Sequence, residues 1–517
     1  MSEPSTAGGI VYLVGAGPGG PELMTLKGAQ CLKEAEVVVY DYLADKKLLE
    51  MAPPQAEIIY VGKKGGDHTM GQEDINCLLV EQGQKGRRVV RLKGGDPFIF
   101  GRGGEEALAL REAGVTFEIV PGVSSAYAAP AFAGIPVTQR RLTTEVAFVT
   151  GHEDPTKPES MIKWDKLATG VGTLVFLMGM KNLPRIVEQL TAHGRAPETP
   201  VALIRWGCTP RQETLTGTLA DIVEKAGEAG FKAPAITVVG EVVGLREKLK
   251  WFEDRPLFGK RVVVTRSRGQ ASALVDELAR AGAAPLEFPT IKVVPPGDGY
   301  EALDGAIDRL RSASPPPYDW IVFTSANGVE HFFRRLDEAG DVRDLKGVRL
   351  GAIGPATAAA LAERGLKVDF VPGEYRAEAV VAGLLKLGIA GAKVLIPRAL
   401  EAREVLPEEL AAAGAEVEVV PAYETVTDES GAGELNQMLK ASEIDIITFT
   451  SSSTVRNFAS LLDGLSLTEM PDTITVACIG PVTAATAREL GLRVDVVAGE
   501  YTIPGLVRAL IDSAARV

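Results

Sequence analysis

The residues with the most chemical promise lie in one run, Arg91 to Glu106, RLKGGDPFIFGRGGEE. A β-type approach over Arg88–Leu92 leads into Lys93-Gly94-Gly95-Asp96-Pro97. A second glycine group follows (Gly101, Gly103, Gly104), and then a helix opened by Glu105 and Glu106. Glycines after a strand let the backbone turn tightly and approach a ligand closely. Pro97 stiffens the turn, and the Asp96 carboxylate is an acceptor for ligand hydroxyl or amino groups. Taken alone, the run reads equally as an ordinary strand-to-helix loop. Asp41 and Lys63 each stand where a predicted strand ends (Glu36–Tyr40 and Ile58–Val61), which is where open parallel sheets place their ligands. His68, Gln72 and Asn76 follow at four-residue spacing and share one face of any helix there, either toward a ligand or toward solvent.

The elements that must position these residues are α/β in character. Ile10–Val14 reads as a buried strand, Gly15–Pro21 as a glycine loop, and 25–34 as a helix. Glu36–Tyr40 is the next strand, a βαβ opening that predicts a mostly parallel sheet. The glycine loop invites a dinucleotide-binding reading, but Pro18 interrupts the G-x-G-x-x-G spacing. A nicotinamide-dependent enzyme is therefore the weaker reading. Residues 251–258, WFEDRPLF, form a short joint before a new strand at Arg261–Thr265.

The second half contains a repeat. IVFTSANGV from Ile321 recurs as ITFTSSSTV from Ile447, and the stretch GAIGPATAAALAERGLKVDFVPGEY from Gly351 recurs as ACIGPVTAATARELGLRVDVVAGEY from Ala477. Both recur at an offset of 126 residues. RVVVTRSRGQ from Arg261 has a looser counterpart in KVLIPRALEA from Lys393. Each copy places Thr-Ser just past a buried strand and Gly-Pro-x-Thr at the start of a helix. Such turns suit carboxylate binding, and equally suit plain N-capping.

Composition narrows the function classes. A chain of 517 residues with 46% apolar residues predicts roughly two to four domains with real cores. The net charge of −13 offers no global positive field, which argues against nucleic-acid or membrane-surface binding. Cys31, Cys77, Cys208 and Cys478 are widely separated and form no CxxC pair. That predicts reduced thiols in a cytoplasmic protein and no metal site. The first nine residues read as a flexible tail without the features of a signal peptide, and no apolar run approaches a membrane span.

In order, the first half carries VYLVGAGPGGPELMTLKG, VVVYDYL, VYVGKKGGDHTMGQEDIN, RLKGGDPFIFGRGGEE, IVPGVSSAYAAPAFAGIPVTQR, FVTGH, TLVFLMGM and APAITVVGEVV. Over residues 10–252 it resembles the uroporphyrinogen-III C-methyltransferase family of tetrapyrrole methylases. The resemblance implies two α/β subdomains, S-adenosyl-L-methionine as cofactor with S-adenosyl-L-homocysteine as its product, and a homodimer formed through this domain. It implies cofactor contacts at Pro18, Gly94, Gly95, Asp96, Ile99, Ser124, Ser125, Met178, Gly207 and Ala235. It implies Asp41 as proton acceptor and Lys63 as proton donor. Because the sulfonium methyl is already activated, the chemistry asks for in-line alignment with a pyrrole carbon and removal of a proton, with no metal and no covalent nucleophile. The implied substrate has eight carboxylates, so Arg91, Lys93, Arg102, Arg140 and Arg141 are candidates to line its cleft. The chain departs from the family pattern at Gly20, Ser124-Ser125, Arg205-Trp206 and Cys208, all ligand-loop positions.

Over residues 259–515, VVVTR, VFTSANGV, IGPATAAAL, VLIPR, PAYETV and TFTSSSTV resemble uroporphyrinogen-III synthase, a two-lobed α/β fold that needs no cofactor. The lobes fall at about 259–292 plus 423–517, and 293–422. Thr324, Ser325, Thr357, Ser451, Ser452 and Thr483 are the implied substrate-binding residues. Tyr423 is the candidate acid beside the departing hydroxyl, or alternatively an edge-strand aromatic. The two resemblances together predict a bifunctional enzyme that closes hydroxymethylbilane to uroporphyrinogen III with inversion of ring D and methylates it twice to precorrin-2. Such an enzyme serves porphyrin, sirohaem or cobalamin biosynthesis. The alternative is a methyltransferase fused to a non-catalytic tetrapyrrole-binding module.

Overall fold

The computed structural model describes residues 9–62, 70–152, 160–266, 268–372, 377–402, 404–462, 467 and 470–515. Lys63 and His68 lie outside the described residues. The chain divides into two compact units. One comprises Met1–Arg261 with Leu278–Ala284 and Ala514–Val517; the other comprises Val262–Glu277 with Pro285–Ser513.

The N-terminal unit begins with a sheet of β1 (Ile10–Gly15), β2 (Val37–Tyr40), β3 (Glu57–Tyr60), β4 (Arg88–Lys93) and β5 (Thr116–Val120), in the order β3-β2-β4-β1-β5. Every pairing is parallel. Helices cover both faces, which is why β2 reads as Val37-Val38-Val39 with all three buried. Two apolar clusters result, one under Leu79 and Leu110 and the other under Leu32 and Leu48. The chain leaves β1 toward β2 and leaves β4 toward β5, in opposite directions. The crevice between the C-terminal ends of β1 and β4 is thus the topological switch point, the place where open α/β sheets bind ligands.

The second sheet contains β6 (Val146–Thr150), β7 (Thr173–Leu177), β8 (Pro200–Arg205), β9 (Glu213–Thr218) and β10 (Ala235–Val239), in the order β6-β7-β10-β8-β9. Only β6 and β7 run parallel; β10 is antiparallel to both of its neighbours and β8 to β9. A turn after β8 returns the chain directly as β9, without the helical crossover that parallel neighbours require, and the helix Ile222–Glu228 then carries it across β8 to β10.

In the C-terminal unit, β11 (Arg261–Val264), β12 (Ala284–Glu287), β13 (Ile291–Val294), β14 (Trp320–Phe323), β15 (Arg349–Ala352), β16 (Lys393–Ala399), β17 (Glu416–Thr427), β18 (Ile446–Phe449), β19 (Thr475–Cys478) and β20 (Val496–Val497) form two sheets. Their orders are β12-β11-β18-β19-β20 and β13-β17-β16-β14-β15. The repeat is visible as matching pieces. β14 and β18 are buried at every position, and each runs into a helix capped by serine. The Ser325 hydroxyl accepts from Gly328 N and the Ser451 hydroxyl from Thr454 N. Pro355 and Pro481 then open equivalent helices at a first-turn position where a missing N–H costs nothing. β17 is long because its first half pairs parallel with β16 while its second half pairs antiparallel with β13.

Three glycines allow the strand ends of the first sheet to converge. A Cβ on Gly122 would overlap the Gly95 carbonyl oxygen and stand 2.6 Å from Gly15 Cα. Gly122→Ala should therefore destabilise the N-terminal unit by about 3 kcal/mol, the upper end of the overpacking range. In thermal unfolding of the full chain this should appear as a lowered midpoint for one transition only.

Candidate active sites

The switch-point crevice brings together most of the residues singled out in the first half. The loop after β1 and the loop after β4 join through a two-way backbone pair: Gly17 N donates to Gly95 O at 3.2 Å and Gly95 N to Gly17 O at 2.9 Å. Both glycines have positive φ, 76° and 71°, which a side chain would resist. The missing side chain of Gly95 faces Ser124 and Ser125, whose nearest atoms lie 3.9–4.0 Å from a Cβ built there. Ser124 caps the helix Ser125–Phe132, accepting from Ala126 N at 3.3 Å, so the free amides of that helix open onto the same place. Asp96 is more than a ligand acceptor. Its two oxygens take the amides of Phe98 (2.8 Å) and Gly122 (3.0 Å), and so staple the β4 loop to the β5 loop. Ile99 lies in the turn that follows.

Met178, Gly207 and Ala235 come from one edge of the second sheet, after β7, after β8 and at the start of β10. That edge touches the first sheet's loops. A Cβ on Gly19, beside Pro18, would stand 2.6 Å from Cys208 O, and one on Gly207 would stand 2.5 Å from the Cβ of Ala129 in the capped helix. Tyr42 packs edge-on to Trp206 with centroids 6.3 Å apart. Met178, Trp206 and Cys208 hold φ of 57°, 49° and 68°, a cluster of costly backbone geometry of the kind that ligand clamps retain. Met178 is half exposed.

Asp41 sits just past β2 on the same sheet edge. Its Oδ1 accepts from Leu43 N (3.1 Å) and its Oδ2 from an Arg91 terminal nitrogen (3.1 Å). Arg91 and Lys93 do not line a cleft, contrary to the sequence expectation. Their side chains are 4% and 5% exposed and both donate to the fully buried Glu106 carboxylate, Arg91 Nε at 3.2 Å and Lys93 Nζ at 2.7 Å. Burial, followed by the neighbouring Arg91 charge, pushes the Lys93 ammonium below its ordinary pKa. Gln72 and Asn76 are hydrogen bonded to each other, and Gln72 also donates to Glu106, so their shared helix face is turned inward. Arg102 is exposed and forked onto Glu105; Arg140 and Arg141 are exposed. Glu106 was legible only as an acid in a helix's first turn, and nothing local announces its partners.

In the C-terminal unit the sheet containing β17 places the Tyr423 hydroxyl 3.0 Å from Ser325 Oγ. Tyr423 is buried, on a strand flanked by β13 and β16, so the edge-strand reading does not hold. Behind it His331 packs at 5.7 Å between ring centroids and bonds Tyr300 through Nδ1 at 2.7 Å, a pair the sequence reading did not single out. Thr357 is buried at the start of its helix, and Thr324 is half-buried just past β14. On the other sheet Ser451 caps its helix, Ser452 accepts from Thr486 Oγ1 at 2.8 Å, and Thr483 is buried. The implied binding residues thus form two groups, one per sheet.

With the geometry in hand, comparison with known proteins assigns both halves. The family model for tetrapyrrole (corrin/porphyrin) methylases matches residues 10–223, and that for uroporphyrinogen-III synthase HemD matches residues 272–508. Over 505 residues, 98% of each chain, the protein is 39% identical to the "Porphyrin biosynthesis protein HemD" of Ruminiclostridium josui. The chain belongs to the family of fused uroporphyrinogen-III C-methyltransferases and uroporphyrinogen-III synthases. Its methyltransferase half is also 56% identical over 241 residues to the S-adenosyl-L-methionine-dependent uroporphyrinogen III methyltransferase of Methanosarcina barkeri, covering 47% of this chain and 94% of that one. The solved Thermus thermophilus uroporphyrin-III C-methyltransferase complexed with S-adenosyl homocysteine matches at 42% identity and a TM-score of 0.39, covering 46% of this chain and 99% of that chain. The chain therefore carries both enzyme activities. Neither the nicotinamide reading nor the non-catalytic module finds support in these matches.

Burial pushes the Cys208 thiol up to about 12. Unfolding restores an ordinary thiol near 9, so the folded unit loses stability from this group as pH rises from about 9 toward 12. Among the cysteines Cys31, Cys208 and Cys478 are buried and Cys77 is exposed. Brief iodoacetamide treatment at pH 8 should give a single adduct, at Cys77, by peptide mass spectrometry.

Proposed function

We propose that the methyltransferase half binds S-adenosyl-L-methionine through Pro18, Gly94, Gly95, Asp96, Ile99, Ser124 and Ser125 on the first sheet's edge and Met178, Gly207 and Ala235 on the second, with Asp41 as proton acceptor. The observation that carries this is the convergence of these loops at the switch point, with Asp41 on the same sheet edge. The residues fit the cofactor: side-chain-free backbone at Gly95, the amides of a serine-capped helix, and a half-exposed thioether at Met178 to meet an apolar group. When bound, the cofactor supplies an activated methyl group, and the electrons of the breaking carbon–sulfur bond stay on sulfur. The chain's own residues orient the pyrrole carbon and receive the proton that the newly methylated carbon framework releases. Asp41 is built for that task, fixed through both oxygens yet with its side chain 26% exposed. Lys63 is proposed as the donor on resemblance alone. Arg102, Arg140 and Arg141 remain as exposed cations for the substrate's carboxylates.

In the synthase half, Tyr423 gives its proton to the departing hydroxyl. Its bond to Ser325 and its burial support an oriented phenol. Thr324, Ser325, Thr357, Ser451, Ser452 and Thr483 meet substrate carboxylates, and no cofactor takes part. The proposal takes 10–252 and 259–517 as the two domains, with synthase lobes of 259–292 plus 423–517 and 293–422. It also takes the protein to be a cytoplasmic homodimer through the methyltransferase domain, which sedimentation at twice the chain mass would test.

The two activities separate by mutation. Asp41→Asn should lower methyl transfer by about 100-fold or more while hydroxymethylbilane closure proceeds at the parent rate. Tyr423→Phe should do the reverse, with type I isomer rising as spontaneous closure takes over. Both are read from one anaerobic assay with isomer and mass separation of the oxidised products. Full methyl transfer by the Asp41 variant would sink the proton-acceptor assignment, and full type III closure by the Tyr423 variant would sink the phenol's.

A further inference from the structure

Three charged side chains lie behind Asp41 with almost no access to water. The Glu106 side chain is 0% exposed, Arg91 4% and Lys93 5%. Charges are not buried this deeply without a reason, because taking an ion out of water is costly. The bonding is lopsided. Glu106 Oε1 takes three donors, Arg91 Nε (3.2 Å), Lys93 Nζ (2.7 Å) and Gln72 Nε2 (3.2 Å), while Oε2 has no partner among the described residues. A carboxylate serving only to satisfy local hydrogen bonds would use both oxygens. This one concentrates its charge at the point where two cations meet.

Arg91 is spent in every direction. Nε goes to Glu106, one terminal nitrogen goes to the carbonyls of Leu92 (3.0 Å) and Val39 (3.5 Å), and the other goes to Asp41 Oδ2 (3.1 Å). Because the guanidinium is planar and rigid, fixing Nε fixes where the far nitrogen points. We infer that Glu106 is a positioning residue for methyl transfer, holding the Arg91 fork in the one orientation that aims its far nitrogen at Asp41. Lys93 completes the balance, two cations against the two carboxylates of Glu106 and Asp41. Without Glu106, Arg91 and Lys93 would share the single carboxylate of Asp41, and the fork, its Nε unheld, would turn away from its like-charged neighbour. The inference rests on Asp41 as the proton acceptor.

The test is a double-mutant cycle on the full chain. Glu106→Gln keeps the volume and removes the charge. Arg91→Lys keeps the charge and removes the fork. Each alone should lower kcat for methyl transfer about 10-fold or more, with the KM for S-adenosylmethionine and the affinity for S-adenosylhomocysteine within about twofold of the parent. In the Arg91→Lys background, Glu106→Gln should then cost less than about twofold, because its effect runs through the fork that is already gone. Equal losses in both backgrounds, or a parent kcat in Glu106→Gln, would overturn the inference. So would a rise in KM with kcat unchanged. Should Glu106→Gln fail to bind S-adenosylhomocysteine, Glu106→Asp enters the same cycle, where the shortened reach predicts the same coupling. Asp41→Asn is measured alongside. Full activity there removes the proton-acceptor reading itself, whereas an inactive Asp41→Asn beside a parent-like Glu106→Gln removes only the role of Glu106.

Discussion

Three backbones meet where no side chain fits. Gly15, Gly95 and Gly122 end or follow β1, β4 and β5, and a methyl group on Gly15 or Gly122 would collide with main-chain atoms of its neighbours. The rest of the proposed methyltransferase site follows from that approach. It lets the β1 and β4 loops pair through Gly17 and Gly95 and lets Asp96 reach across to the Gly122 amide. It also delivers the capped amides of the Ser125 helix to the place where the strand order reverses. A ligand arriving there meets backbone on several sides, which suits a cofactor recognised along its length and not by one charged group.

The synthase half solves a related problem by repetition. Each sheet presents a serine-capped helix after a fully buried strand and a proline-opened helix after the next. The cap satisfies one amide of each helix and leaves the remaining first-turn amides free beside the Thr-Ser turn. The copies then differ beside the proposed acid. In the β14 copy Ser325 bonds Tyr423, behind which stand His331 and Tyr300. At the aligned position of the β18 copy, Asn457 replaces His331.

The regular parts were legible in the sequence because their signals are local. A continuous valine run reports a strand buried on both faces, glycine after a strand reports a turn, and a repeat at one offset reports duplicated lobes. The two family resemblances rest on such local strings. What local strings cannot carry is pairing across the fold. Arg91 and Lys93 read as cleft cations because the implied substrate carries eight carboxylates that need cationic partners. Glu106, which buries them, is 15 and 13 residues away on a helix whose docking no spacing reveals. The antiparallel half of the second sheet was equally silent, since Pro200–Arg205 and Ala235–Val239 are as apolar as parallel strands. Tyr423 and Ser325 stand 98 residues apart, and only the resemblance had put them in one site.

The interleaved build of the synthase half sets an order of assembly. The sheet of β13 to β17 is drawn from one continuous stretch, Ile291–Thr427, and every pairing it needs is available once that stretch has been made. The other sheet places β11 against β18, so that the Thr265 hydroxyl finds the carbonyl of Thr448 at a sequence separation of 183. During synthesis the leading strand can pair with β12 at once, but the ladder groups on its other side must wait for β18 until most of the polypeptide has emerged, and the long closure makes this the slow step. The lobe whose strands come first and last in the sequence is the one completed last.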